Sequence, residues 1–174
     1  MKRPSGITFL AVLYMLGALL VLGLQVFTWQ RTLQAVAELG SVVVYAYLSA
    51  AIFAILQLVA CIGMWQGKRW GWWLGALVLF LVVARAINAL VAIPVLLQQV
   101  GPPETGLALE VIKYAGRAIL YGFLIRYFFT DGVEAYFDVA AIPGRKRFAY
   151  LVGVTAVVML LMSIVVWIFG INPL

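Results

Sequence analysis

Five long apolar runs alternate with short polar breaks along the chain. They cover roughly residues 7–29, 41–66, 73–98, 107–129 and 148–170. Each run exceeds the 18 or so residues that mark a candidate span, and at 1.5 Å per helical residue about 20 residues cross roughly 30 Å of hydrocarbon. Residues 30–40, QRTLQAVAELG, form a polar link, and GKRWGWW at 67–73 reads as a basic, Trp-rich interface anchor. Pro94 removes a helical hydrogen bond to the carbonyl of Leu90, which predicts a kink near the end of the third run. VGPPETG at 100–106 breaks the pattern, with Thr105 placed to cap the next helix and Glu104 and Glu110 near its positive end. TDGVEAYFDVAAIPG at 130–144 predicts a short amphipathic helix in the membrane interface. Asp131 and Glu134 have capping-box spacing there, and Val133, Tyr136, Phe137 and Ala140 share the apolar face. GRKR at 144–147 anchors the last run. The pattern predicts an all-α membrane protein: one domain, a bundle of five transmembrane helices, and a short interfacial helix between the fourth and fifth.

The fourth run, LALEVIKYAGRAILYGFLIRYFF, is the exception in quality. It carries Glu110, Lys113, Arg117 and Arg126. An Arg or Lys at mid-membrane costs about 2.5–3.5 kcal/mol on insertion scales, while one Leu or Ile returns only about 0.3–0.6 kcal/mol. Charge asymmetry nevertheless argues that this run crosses. If all five cross, one side holds Lys2, Arg3, Lys68, Arg69, Arg126, Arg145, Lys146 and Arg147, and the other holds only Arg31. If the fourth does not, Arg126 and the GRKR cluster change sides and the asymmetry vanishes. The positive-inside rule then places the N-terminus in the cytoplasm and the C-terminus outside. The first apolar run is longer than the 7–15 residues of a signal-peptide core, and the first small-residue site (Ala35, Ala37) lies far downstream, so an uncleaved first span is expected.

Composition agrees with this reading: 66% of residues are hydrophobic and 10% charged, against about 25% charged in soluble domains. The +6 net charge sits in short clusters, not in a basic stripe, so anionic lipid headgroups are the expected electrostatic partner and nucleic acid is not. The chain has no His and a single Cys, Cys61. That leaves no intrachain disulfide and no His-based metal site or nucleophile–base pair. No catalytic residue, metal or cofactor is expected, and the chain reads as a non-enzyme. DGVEA at 131–135 lacks the Arg and the later acidic cluster that a Mg²⁺-phosphate site would need.

The candidate chemistry lies in the third and fourth runs. Counted from the flanking aromatic residues, Arg85 and Arg117 each fall roughly 18 Å from the basic side, so at a similar depth. Asn88 lies about a turn from Arg85. Glu110, Lys113 or Tyr114, Arg117 and Tyr121 form a polar stripe at helical spacing. Three arrangements follow from these residues: a closed inter-helix network, with Arg117 facing Arg85 and Glu110 above them; a positive cavity for water, an anion or a lipid headgroup; or a site completed by a carboxylate from another chain. Gly71 and Gly75 form a GxxxG at the start of the third run, a spacing that can pair helices.

RPSGITFLAVLYMLGALL, GMWQGKRWGWWLGALVLFL and IRYFFTDGVEAYF together resemble small bacterial multi-pass membrane proteins to which no activity is assigned. The resemblance spans much of residues 3–137 and implies a bacterial cytoplasmic (inner) membrane location. It brings no catalytic or binding residues with it. The expectation is an accessory or interaction protein that binds a partner membrane protein or anionic lipid through its third and fourth spans. The alternative is a small transporter or solute-binding membrane protein holding an anion at Arg85 and Arg117.

Overall fold

In the computed structural model, which describes residues 3–100 and 106–168, the chain is all-helical. Seven helices follow in order among the described residues: α1 (Ser5–Phe27), α2 (Trp29–Leu39), α3 (Ser41–Trp65), α4 (Arg69–Val100), α5 (Leu107–Phe128), α6 (Asp131–Tyr136) and α7 (Gly144–Ile168). Among the described residues four segments are long and apolar enough to cross a membrane: Ser5–Phe27, Val43–Trp65, Arg69–Pro94 and Gly144–Val165. The five-span expectation is met in these four. Helix α5 is long enough, but Glu110, Lys113, Arg117 and Arg126 leave it too polar to join them on composition.

The contacts give each helix a direction. Arg3 meets the end of α3, donating from Nη2 to the Trp65 carbonyl (2.7 Å). At the other end of the pair, Gln25 and Tyr47 lock α1 to α3 reciprocally. The Gln25 amide donates to the Tyr47 carbonyl (2.8 Å), and the Tyr47 hydroxyl donates to the Gln25 carbonyl (3.0 Å). Helix α4 returns beside α3 after a tight turn. Trp72 Nε1 then donates to the Phe128 carbonyl (3.0 Å), joining the start of α4 to the end of α5. Helix α5 therefore runs back along α4 to the level at which α4 began. Helix α7 starts at that same level, where Phe148 packs on Phe80 (5.3 Å) and Phe129 (6.0 Å). Its far half reaches α3, where the Tyr45 hydroxyl donates to the Met162 carbonyl (3.5 Å). We call the level shared by Arg3, Trp72, Phe128 and Arg147 the basic end. Helix α4 is the central element, packed against α3, α5 and α7.

Several local expectations are corrected. The polar link at 30–40 is helical: QRTLQAVAEL contains helix-forming residues and no Gly or Pro until Gly40, whose φ of 64° ends α2. The GKRWGWW anchor is largely the first turns of α4, which also continues through Pro94 to Val100. The helix expected over 130–144 is only Asp131–Tyr136. Thr130, not Asp131, is its N-cap, with no side-chain capping bond. Asp138 follows in a left-handed conformation (φ 52°) and turns the chain out of the helix. Val133 and Phe137 are buried in the protein core, so the apolar face of α6 packs on the bundle and is not free to lie in an interface. The predicted Thr105 cap lies outside the described residues.

The GxxxG pair is spent inside the chain. A methyl group on Gly63 would come within 2.6 Å of Gly71 Cα, because the α3 and α4 backbones touch at their turn. On Gly75 it would meet Met64 Sδ at 3.0 Å and Phe128 Cζ at 3.1 Å. Small residues here admit neighbouring helices of the same chain, as they do between membrane helices generally.

Candidate functional site

The predicted polar residues divide by the side of α5 and α4 on which they sit. On α5, Tyr114, Ala118, Tyr121, Ile125 and Phe128 recur at helical spacing and are buried or half-buried, so this is the face turned to the bundle. Lys113, Gly116, Arg117, Leu120 and Phe123 are exposed. Glu110 stays beside Lys113, with Nζ 3.4 Å from either carboxylate oxygen. The Lys113 side chain also lies 5.3 Å from the Tyr114 ring centre. Arg117 is exposed, and no hydrogen bond or ion pair joins it to a described residue.

Arg85 and Asn88 are exposed on α4. The Arg85 guanidinium lies 5.8 Å from the centre of the Phe53 ring on α3. Among the described residues no hydrogen bond or ion pair links it to Asn88, Glu110 or Arg117. The Trp72–Phe128 bond sets the register between α4 and α5. Arg85 is thirteen residues beyond Trp72 and Arg117 eleven before Phe128, so they lie about 20 Å and about 17 Å from the basic end at 1.5 Å per residue. The two arginines thus share a level, as the spacing predicts, and each is open to the outside of the bundle.

The basic end holds a second charged set, in which two arginines are ion-paired within the protein. Arg147, at the start of α7, is only 2% exposed. Its Nη2 lies 2.6 Å from Glu134 Oε2, and Glu134 is 13% exposed. The guanidinium stacks against Trp72 (5.1 Å) and Phe129 (5.8 Å), so two π faces supplement one carboxylate. Its Nε and Nη1 have no hydrogen-bond partner among the described residues. Arg69 pairs with Asp138. The Tyr136 hydroxyl sits 3.4 Å from the Met64 and Trp65 carbonyls and accepts from Arg3 Nε (3.3 Å). Along the sequence, Arg147 reads only as an orientation signal and Glu134 only as a helix cap. The signal that could have joined them is an acidic pair, Asp131 and Glu134, on a six-residue helix shortly before a basic cluster. The chain that brings them together turns at Asp138, which sequence spacing does not show.

These features define an all-helical chain with four membrane-compatible helices and a fifth, charged helix returning along the central one, an architecture that fits a multi-pass membrane protein. The chain matches no protein-family model, and no curated protein or solved structure is significantly similar to it.

Proposed function

We propose that this chain is a non-enzymatic integral membrane protein that docks a partner membrane protein through the exposed polar side of α5 and α4. Anionic lipid headgroups would gather at its basic end. The observation that carries the reading is Arg117: a cation in the middle of a 22-residue helix that packs back along α4, exposed and without a carboxylate partner among the described residues. The antiparallel return of α5 supports a fifth span, and a lipid-facing Arg at that depth would cost about 2.5–3.5 kcal/mol or more. A partner helix bearing Asp or Glu at the same depth would remove that cost. The outward exposure of Arg85 and Arg117 supports docking over an anion site enclosed between them.

In this reading the chain spans a bacterial cytoplasmic membrane five times with the basic end in the cytoplasm. A cysteine placed at position 103 would then be labelled by a membrane-impermeant maleimide from outside, and one at position 140 only after permeabilisation. The reverse labelling would overturn the orientation, and labelling of both from the same side would overturn the fifth span. Docking is tested by photo-crosslinking from Leu120 in intact membranes. A protein adduct that disappears in Arg85→Gln/Arg117→Gln is the expected result. An adduct that persists undiminished in the double variant, or lipid adducts alone, would overturn it.

A further inference from the structure

Helices α1 and α3 enclose, on the outside of the bundle, a groove of about 400 Å³. Ala11, Val12 and Met15 form one wall and Cys61, Ile62 and Trp65 the other, with Gln66 as the polar lining residue. The volume suits one small ligand or one chain. The walls are apolar, which would suit any hydrocarbon; the mouth is more selective. Trp65 and Gln66 lie at the basic end of α3. The Arg3 guanidinium sits over the Trp65 ring, 4.2 Å from its centre, and is tied to the Trp65 carbonyl and the Tyr136 hydroxyl. Those bonds fix its position and leave its charge uncompensated: no carboxylate among the described residues pairs with Arg3. The contrast with Arg69 and Arg147, each holding its own carboxylate, is internal to the same end of the molecule. A fixed cation over an aromatic ring that itself lines an apolar slot, on a membrane-compatible helix pair, complements one chemistry. That chemistry is an anionic head attached to an acyl chain.

We propose that the α1–α3 groove is a binding site for one anionic phospholipid, its phosphate at Arg3 and Gln66 and an acyl chain along Val12, Met15 and Ile62. The site is separate from the α5 surface and does not depend on the docking reading. The test uses the full chain in mixed micelles of phosphatidylglycerol and phosphatidylcholine in equal amounts, with retained lipid read by native mass spectrometry. The wild-type chain is expected to retain one phosphatidylglycerol about fivefold more often than phosphatidylcholine, the weight of one basic side chain at an anionic surface. Arg3→Gln should bring that ratio close to one, and Arg3→Lys should keep most of it. Val12→Trp, which fills the slot and leaves Arg3 in place, should remove the retained lipid. Arg145→Gln, an exposed basic residue outside the groove, should leave the ratio unchanged. Equal retention of the two lipids by the wild-type chain would overturn the proposal. So would a loss in Arg145→Gln as large as in Arg3→Gln, equal losses in Arg3→Lys and Arg3→Gln, or full phosphatidylglycerol retention by Val12→Trp. Helix content and elution volume equal to wild type exclude misfolding as the cause of a loss.

Discussion

Arg147 and Arg117 are the same side chain in two opposite settings. Arg147 is enclosed, ion-paired to Glu134 and set against the rings of Trp72 and Phe129. Arg117 projects from the exposed side of α5 with no bond to a described residue. A buried charge must be compensated inside the protein, because its alternative is an uncompensated ion in a low-dielectric interior. An exposed charge has no such constraint from its own chain, and in the five-span reading proposed above its compensation would come from outside. Burial and partnering therefore separate an arginine held within the fold from one that the fold leaves exposed, a distinction that residue type and hydropathy do not make.

The largest effect should come from breaking the Arg147 pair. Glu134→Ala leaves the guanidinium buried with only its aromatic neighbours, and removing one partner of a buried pair costs about 3–5 kcal/mol. Denaturant or thermal unfolding in detergent would measure it. Replacing both partners together, Glu134→Leu with Arg147→Met, should recover most of that loss, since the double variant leaves no orphan charge. Full stability in Glu134→Ala alone would mean that the pair is not what holds α6 and α7 to the bundle.

The glycines sharpen the same contrast at smaller amplitude. Gly71→Ala forces the α3 and α4 backbones apart where they touch, and overpacking of this kind costs about 1–3 kcal/mol. Gly116 faces open space, with nothing within 4 Å of a methyl group built there. Gly116→Ala should stabilise the isolated chain by roughly 0.5–1 kcal/mol, the ordinary helix-interior gain over Gly. If both variants lost stability equally, α5 would be as tightly enclosed as the basic end, and the comparison would fail.

Much of the architecture was legible along the chain, for definite reasons. A helix that faces hydrocarbon has to be apolar nearly all round, so the runs that became α1, α3, α4 and α7 could be read without knowing their neighbours. The clustering of basic residues at one level was legible too, although Arg3, Arg69 and Arg147 among them are bonded within the protein. Helix α2 was missed because polarity was read as a link, when Thr28 to Leu39 contains no helix breaker. The stripe on α5 was visible as spacing. Which of its members turn inward was not, because Tyr114 and Tyr121 differ from Lys113 and Arg117 only by the position of α4. Long-range pairs such as Arg147 with Glu134 and Gly71 with Gly63 depend on how turns close, and no periodicity encodes that.

The smallest expected effect on stability is the one that bears most on function. Arg117→Gln removes a charge with no bond to a described residue, so unfolding of the purified chain should shift by no more than about 0.5 kcal/mol, as for surface substitutions generally. In a lipid bilayer the same change should ease insertion of α5, because the mid-span cost of the cation disappears. A residue retained only for the fold would not combine a neutral effect in detergent, a gain in the membrane and a loss of crosslinked partner from Leu120. If Arg117→Gln instead destabilised the purified chain as much as Glu134→Ala does, the two arginines would play the same structural part, and docking through α5 would lose its principal support.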